Sequence, residues 1–344
     1  MTGNKKEVKK ETESEKELKR VLGLDWVTRT RLEAYNANQY LFRDICHNQP
    51  KSDITRFLGW DDPAKIPYYP MPGEGYKGAT SGSDYNTDLM IPGEPKIEYD
   101  FREAYTSIAR RYSLPSNTFL DHVKYDREKI EQRFASYPEK LPYSNLSTFA
   151  FLDIEISAIA KENTYTKWGS HFQNYTEAMY QARMHVTEIE LKLIYDFYDI
   201  KELIIHDSFV FRCRKNLLAD YFERIDRLKE NELTEQYYKA MRNKAVGLIG
   251  KTKLKTIDEK AFKYPFYNRA FSAMVYGVFR DVIARYEQKY VFSPYVLLKI
   301  KTDGLYFLKE VPEFEKLHQL GIVKKKVSLI TEEDQAEALN KPNI

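Results

Sequence analysis

The spacing of apolar and polar positions changes several times along the chain, and each change predicts an element. Lys96-Ile97-Glu98-Tyr99-Asp100-Phe101 alternates as a strand, and Glu103 to Tyr112 follows with helical spacing that ends at Ser113-Leu114-Pro115, where proline cannot continue a helix. Phe149 to Ile156 and Leu203 to Phe211 read as strands, and Glu188 to Tyr198 reads as an amphipathic helix. Leu217 to Ile249 is mainly helical with a break near Glu230-Asn231, and a further amphipathic helix runs from about Asn268 to Tyr290. It feeds an apolar strand, Tyr295 to Ile300, that resumes at Leu305, Phe307 and Leu308. Thr302-Asp303-Gly304 between them supplies the turn chemistry of a hairpin. Residues 26–60 show helical spacing through Leu32, Tyr35, Tyr40 and Leu41, then Ile54, Phe57 and Leu58. Residues 61–95 are broken by prolines and glycines and read as a long loop. No internal repeat is visible.

Composition narrows the class. At 344 residues, 42% of them hydrophobic, the chain can bury one large core or two to three smaller lobes. Tyrosine is abundant, with 27 residues. The net charge of +3 gives no whole-protein signal for nucleic acid, so any basic surface is local. The two cysteines, Cys46 and Cys213, have no metal-ligand spacing and suit a reducing compartment. No apolar run approaches the roughly 18 residues of a membrane span. The charged N-terminus is unlike a secretory signal, so a cytoplasmic protein is expected, with no membrane partner. Residues 1–20, nearly all Lys, Glu, Ser and Thr, read as a solvated, frayed helix or a disordered tail, or else as a docking arm for nucleic acid or a partner. The six histidines show no zinc-ligand spacing and read as structural.

The candidate chemistry lies where these elements meet. Asp100 ends a strand just before a helix, and Asp303 sits at the hairpin tip. If the two strands are neighbours, the carboxylates converge into a site for a hard cation such as Mg2+ or Mn2+. Two such ions about 3.5–4 Å apart hold the attacking and leaving oxygens of an in-line phosphoryl transfer. Lys239, Asn243 and Gly247 recur every four residues and share one helix face. Lys239 there would neutralise triphosphate charge, and Gly247 would let a base pair lie close. Each has a plainer alternative. Asp100 taken alone reads as a helix N-cap, Tyr105 as a core aromatic, and Lys239 as a solvated lysine. Arg110 and Arg111 read as a solvated face or a phosphate contact. Lys251, Lys253 and Lys255 alternate along an extended segment that suits a template backbone. Lys324-Lys325-Lys326 reads as a solvated tail or a primer clamp.

Together these segments resemble the family B DNA polymerases, specifically the protein-primed branch of phages and linear plasmids. The first motif, Asp-x-x-Ser-Leu-Tyr-Pro-Ser, corresponds to Asp100-Phe101-Arg102-Glu103-Ala104-Tyr105-Thr106-Ser107. The second, Lys-x-x-x-Asn-Ser-x-Tyr-Gly, corresponds to Lys239 through Gly247, with Lys244 and Val246 in place of the Ser and Tyr. The third, Asp-Thr-Asp-Ser, is Lys301-Thr302-Asp303-Gly304, and Tyr76-Lys77-Gly78-Ala79 resembles the linker that precedes the polymerase domain. The resemblance covers roughly residues 76–310.

The resemblance implies an α/β (α+β) fold: a right-hand palm sheet with helical fingers, no exonuclease domain and a reduced thumb. It implies a charged flexible tail (1–20), a helical segment (21–75), palm portions (76–115 and 256–310), an insertion that contacts a priming protein and DNA (116–200), fingers helices (201–255) and a short thumb-like tail (311–344). Asp100 and Asp303 would be the catalytic metal ligands, with the carbonyl of Phe101 facing the second metal. Tyr105 would stack under the sugar and exclude a ribose 2′-OH, Lys239 would bind the triphosphate, and Asn243 and Gly247 would line the base pair. Tyr76, Gly78, Lys251 and Lys253 would contact DNA. The implied partners are a DNA primer-template, dNTPs, a priming terminal protein and a separate chain supplying an exonuclease or thumb, in a bacterial or phage-infected cytoplasm. Lys301 stands where the third motif has its first Asp, which weakens metal affinity in expectation. Glu98 and Glu103 are the candidates to compensate. Two functions stay open: a polymerase lacking proofreading, and an impaired polymerase-fold subunit that binds DNA or a replication partner.

Overall fold

In the computed structural model, residues 11–28, 32–48, 83–101, 103–165, 176–250, 268–301, 304–315 and 323–340 are described. Alternation over 96–101 produces strand β2 (Pro95–Phe101), which buries Tyr99 and Phe101 on one face and leaves Glu98 and Asp100 half-buried on the other. It lies in a five-stranded antiparallel sheet. The other members are β1 (Ser83–Asp84), β7 (Leu297–Lys301), β8 (Gly304–Phe307) and β9 (Val323–Leu329), in the order β1-β7-β8-β2-β9. The hairpin β7–β8 therefore forms as its sequence predicts and pairs directly with β2.

A second antiparallel sheet has the order β3-β6-β4-β5. Its strands are β3 (Leu114–Phe119), β4 (Thr148–Ala160), β5 (Ala178–Thr187) and β6 (Tyr198–Arg214). The sheet uses the strands read at 149–156 and 203–211 but extends past residue 200, so the expected insertion boundary falls inside a strand. Two long helices divide the remaining space: α7 (Glu235–Ile249) and α8 (Arg269–Tyr290). The other helices among the described residues are α1 (Glu13–Leu22), α2 (Ala34–Asn48), α3 (Ala104–Arg111), α4 (Arg127–Ala135), α5 (Glu188–Phe197), α6 (Ala219–Asp226) and α9 (Glu332–Asn340).

Helix α8 is the central strut. Asn268 caps it by accepting from Phe271 N at 2.9 Å and donates to the Pro115 carbonyl of β3 at 2.9 Å. Most of its length is buried, against α3, α5, α7 and the strands β3 and β5. Burial on several sides encloses charges, among which Arg280 and Asp281 are each paired. Arg280 and Glu190, each 2% exposed, form an ion pair at 3.1 Å. Asp281 accepts from Arg285 Nε at 2.9 Å; burial pushes its pKa up while Arg285 opposes that shift. Glu188, at the start of α5, accepts from Arg133 and from the Ala150 backbone at 2.8 Å, tying the helix to the second sheet.

Two terminal readings change. Residues 1–20 were expected as a solvated, frayed helix or a charged tail, but from Glu13 the chain forms a capped and packed helix, α1. Thr12 closes a capping box there with Glu15, and Leu18 and Leu22 are fully buried. Charge hid an amphipathic stripe. Lys324–Lys326, expected in a tail, belong to β9 and pair with Asp100, Tyr99 and Glu98 respectively.

Candidate active site at the β2 terminus and the β7–β8 hairpin

Asp100 occupies the penultimate position of β2. Its Cα pairs with Gly304 on one side and Lys324 on the other. Gly304 in turn pairs with Lys301 across the hairpin. Thr302 and Asp303 lie outside the described residues, but both residues that flank them are fixed beside the strand end that carries Asp100. Gly304 is tightly enclosed: a methyl group there would come within 3.2 Å of Tyr306 Cε2 and 3.4 Å of the Lys301 carbonyl. Asp100 is not the helix cap. Glu103 is the residue preceding α3, and its side chain makes no capping bond.

The backbone at Asp100 is anchored through its neighbours. Phe101 is 2% exposed, stacks on Tyr286 at 5.7 Å and meets Phe279 edge-on at 5.7 Å. Tyr99 stacks on Phe314 at 4.7 Å, and its hydroxyl accepts from Val311 N at 2.9 Å. Two buried aromatics on the inward face thus fix where the outward carboxylate stands.

The rest of that face is polar. Tyr306 Oη donates to Glu98 at 3.0 Å, and burial together with the Glu98 charge pushes the phenol pKa up. Lys96 pairs with Asp334. Burial alone would raise the pKa of Asp334, but its bonds from Lys96 and Thr331 outweigh this and bring it to about 2. Glu98, expected as a compensating carboxylate, shares the face of Asp100 but already accepts from Tyr306. Glu103, the other candidate, turns away: it accepts from Arg242 and, at 3.2 Å, from Tyr238 Oη, both on α7. It does so from a left-handed backbone, φ 55° and ψ 32°, a conformation that strains any residue with a Cβ.

Across from the strand end stands α7. Lys239, Asn243 and Gly247 are all exposed on one face, as the four-residue spacing predicts, while Tyr238, Met241, Ala245 and Val246 are buried on the other. Asn243 Oδ1 accepts from Arg242 Nε at 3.2 Å. The buried face is braced from behind by α2: Asn38 Nδ2 donates to the Met241 carbonyl at 2.7 Å, and Tyr221 Oη donates to Asn38 Oδ1 at 2.9 Å. Tyr105, on α3, is half-buried between these parts, its ring edge-on to Tyr276 and Phe279 at 5.1 Å each. Tyr276 escaped sequence reading because an aromatic residue inside an amphipathic helix reads as core.

Other sequence candidates fall elsewhere. Tyr76, Gly78, Lys251, Lys253 and Lys255 lie outside the described residues. Arg110 forms a two-pronged pair with Asp226, at 2.8 and 2.7 Å, and lies 4.2 Å over the Phe222 ring, so it is a structural residue. His185 and His206 sit beside Asp153 and Glu155 on the second sheet, at 3.5 and 3.4 Å. Among the described residues no group of three or more His, Cys, Asp or Glu is placed to hold a metal ion; Asp303 lies outside them. No described helix is long and apolar enough to cross a membrane.

No protein-family model matches the chain, and no curated protein matches it. Solved structures do. The chain superposes on phi29 DNA polymerase in complex with primer-template DNA and incoming nucleotide, with a TM-score of 0.61, 15% identity, and 90% of this chain against 55% of that one. The post-translocation binary complex with primer-template DNA gives 0.62, 14%, 90% and 54%. The complex with single-stranded DNA gives 0.60, 14%, 88% and 52%. The chain spans about half the length of the polymerase it matches. The mixed helix-and-sheet fold is therefore similar to that of phi29 DNA polymerase, a protein-primed family B enzyme, in agreement with the resemblance carried by the motifs.

Proposed function

We propose that the chain is a template-directed DNA polymerase that transfers dNMP to a primer 3′-OH or a protein hydroxyl. The five-stranded sheet then serves as palm and α7 as fingers. The observation that carries this reading is the register Asp100–Gly304–Lys301, which brings the carboxylate strand beside the flanks of the Asp303 tip. The exposed face of Lys239, Asn243 and Gly247 supports it further. A pair of strand-end carboxylates is the donor set a hard cation takes, and Asp100 and Asp303 would hold Mg2+ or Mn2+. Such ions supply activation of the attacking hydroxyl and charge neutralisation on the leaving pyrophosphate. The protein's own share is positional: buried Phe101 and Tyr99 fix the Asp100 backbone, Lys239 meets the triphosphate, Asn243 and Gly247 flank the base pair, and Tyr105 lies under the sugar. A DNA primer-template and dNTPs are the substrates on this reading, as the neighbours' complexes suggest.

A second reading is an impaired polymerase-fold subunit that binds DNA. It is favoured by Lys301, which is exposed and pairs with Gly304, and by Lys324, which pairs with Asp100; two cationic residues thus stand at the carboxylate end of the sheet. Primer extension with dNTPs and Mg2+ or Mn2+, comparing wild type with Asp100→Asn and Asp303→Asn, separates the two. Extension by wild type that vanishes in both variants is expected. Primer-template binding without extension by wild type would overturn the polymerase reading in favour of the second.

A further inference from the structure

Tyr276 lies where three parts of the candidate site meet. Its ring edge contacts Tyr105 at 5.1 Å with planes 74° apart. Phe279, three residues on along the same face of α8, contacts Tyr105 at 5.1 Å and 67°. Tyr105 is thus held by two rings from one rigid, mostly buried helix rather than by its own short helix. The far end of Tyr276 reaches α7: a methyl group built on Gly247 would come within 3.4 Å of Tyr276 Oη. Gly247 is exposed on the face of Lys239 and Asn243, and Tyr105 and Tyr276 are each half-buried, so the two rings form a wall between α3 and α7. Burial pushes the Tyr276 pKa up, so its hydroxyl stays protonated.

We propose that Tyr276 is a positioning residue: its ring locks the Tyr105 ring and so excludes ribonucleotides, while its hydroxyl, against the bare backbone of Gly247, sets the depth available to the incoming nucleotide. This rests on the polymerase reading above. The physical reason is that a ring excludes one extra hydroxyl only if it cannot tilt away. Edge-to-face packing of Tyr105 against two rings of one helix resists that tilt. Removing the Tyr276 ring opens space into which Tyr105 can swing, and the site then admits the 2′-OH. One extra small group in a pocket is discriminated by about 10–200-fold, so loss of the wall should reduce selectivity by at least about tenfold.

The test is single-nucleotide incorporation, measuring kcat/KM for dNTP and rNTP in wild type, Tyr276→Phe, Tyr276→Ala, Gly247→Ala and Gly247→Ala/Tyr276→Phe, with thermal melting of each. Tyr276→Ala is expected to lower the dNTP-to-rNTP ratio by about tenfold or more, while Tyr276→Phe keeps the ring and the ratio. Gly247→Ala should raise KM for dNTP, and removing the hydroxyl in the double variant should relieve that rise. A purely structural Tyr276 would lower dNTP and rNTP use in equal proportion, and that result overturns the proposal. If Tyr276→Ala does not fold, a Gly247→Ala defect that Tyr276→Phe fails to relieve overturns it as well. Wild type that incorporates nothing overturns the polymerase reading and this inference with it; wild type that incorporates while Tyr276→Ala keeps full selectivity overturns the inference alone.

Discussion

Glu103 allows a prediction whose sign runs against the usual rule. Replacing it by Ala or by Gly removes the same side chain and therefore the same bonds to Arg242 and Tyr238. Arg242 is 13% and Glu103 32% exposed at the side chain, so this charged contact is partly screened and worth about 1–2 kcal/mol. The two variants differ in the backbone. Glu103 holds φ 55°, and a residue with a Cβ pays about 1–2 kcal/mol there. Gly escapes that cost but loses roughly 0.5–1 kcal/mol through the extra freedom of its unfolded chain. The balance makes Glu103→Gly more stable than Glu103→Ala by about 0.5–1 kcal/mol, although Ala is ordinarily the safer substitution. Urea denaturation followed by circular dichroism measures the difference. Glu103→Ala equal to or above Glu103→Gly would refute the reasoning, because the strained turn between β2 and α3 would then contribute nothing.

Other expectations follow from buried charges. Arg280→Met should cost about 3–5 kcal/mol, since it strands Glu190 without its cation, and Arg280→Met/Glu190→Leu should recover much of that loss; denaturant midpoints check both. Burial raises the Glu287 pKa to about 7, against the opposing bond from Tyr85. The folded state therefore holds that proton more tightly than the unfolded chain, so the contribution is present below about 4.5 and is lost as pH rises to about 7. Glu287→Gln should flatten the stability profile across that window, and an unchanged slope would exclude Glu287 as its source. Burial also raises the Cys213 thiol pKa, so in Cys46→Ser the remaining thiol should react with iodoacetamide only on unfolding.

Local periodicity carried much of the fold. The strands at 96–101 and 149–156, the hairpin, and the common face of Lys239, Asn243 and Gly247 follow from patterns within a few residues of each other. What could not be read was set by distant partners. The helix α1 looks like a solvated run because its apolar stripe is only Leu18 and Leu22 among charges, and the helices that cover it lie some two hundred residues away. Lys324–Lys326 reads as tail until β2 is known to have a free edge for it. Of the candidate site, Asp100 was legible as a strand-end carboxylate. The engagement of Glu98 by Tyr306 and of Glu103 by Arg242 was not, because each partner lies more than a hundred positions away. Tyr276 was hidden for the opposite reason: its spacing is fully explained as core.

The brace behind α7 also bears on how the chain is made. Asn38 and the Met241 carbonyl it bonds are 203 positions apart. At a synthesis rate of about 5–20 residues per second, roughly 10–40 s separate the emergence of the two. Through that interval Leu18, Leu22, Leu41 and Phe42, all buried in the finished fold, await the helices at 219–226 and 235–249 that pack on α1 and α2. Helices α1 and α2 thus leave the ribosome long before these partners do, which makes them the segment for a nascent-chain chaperone to hold.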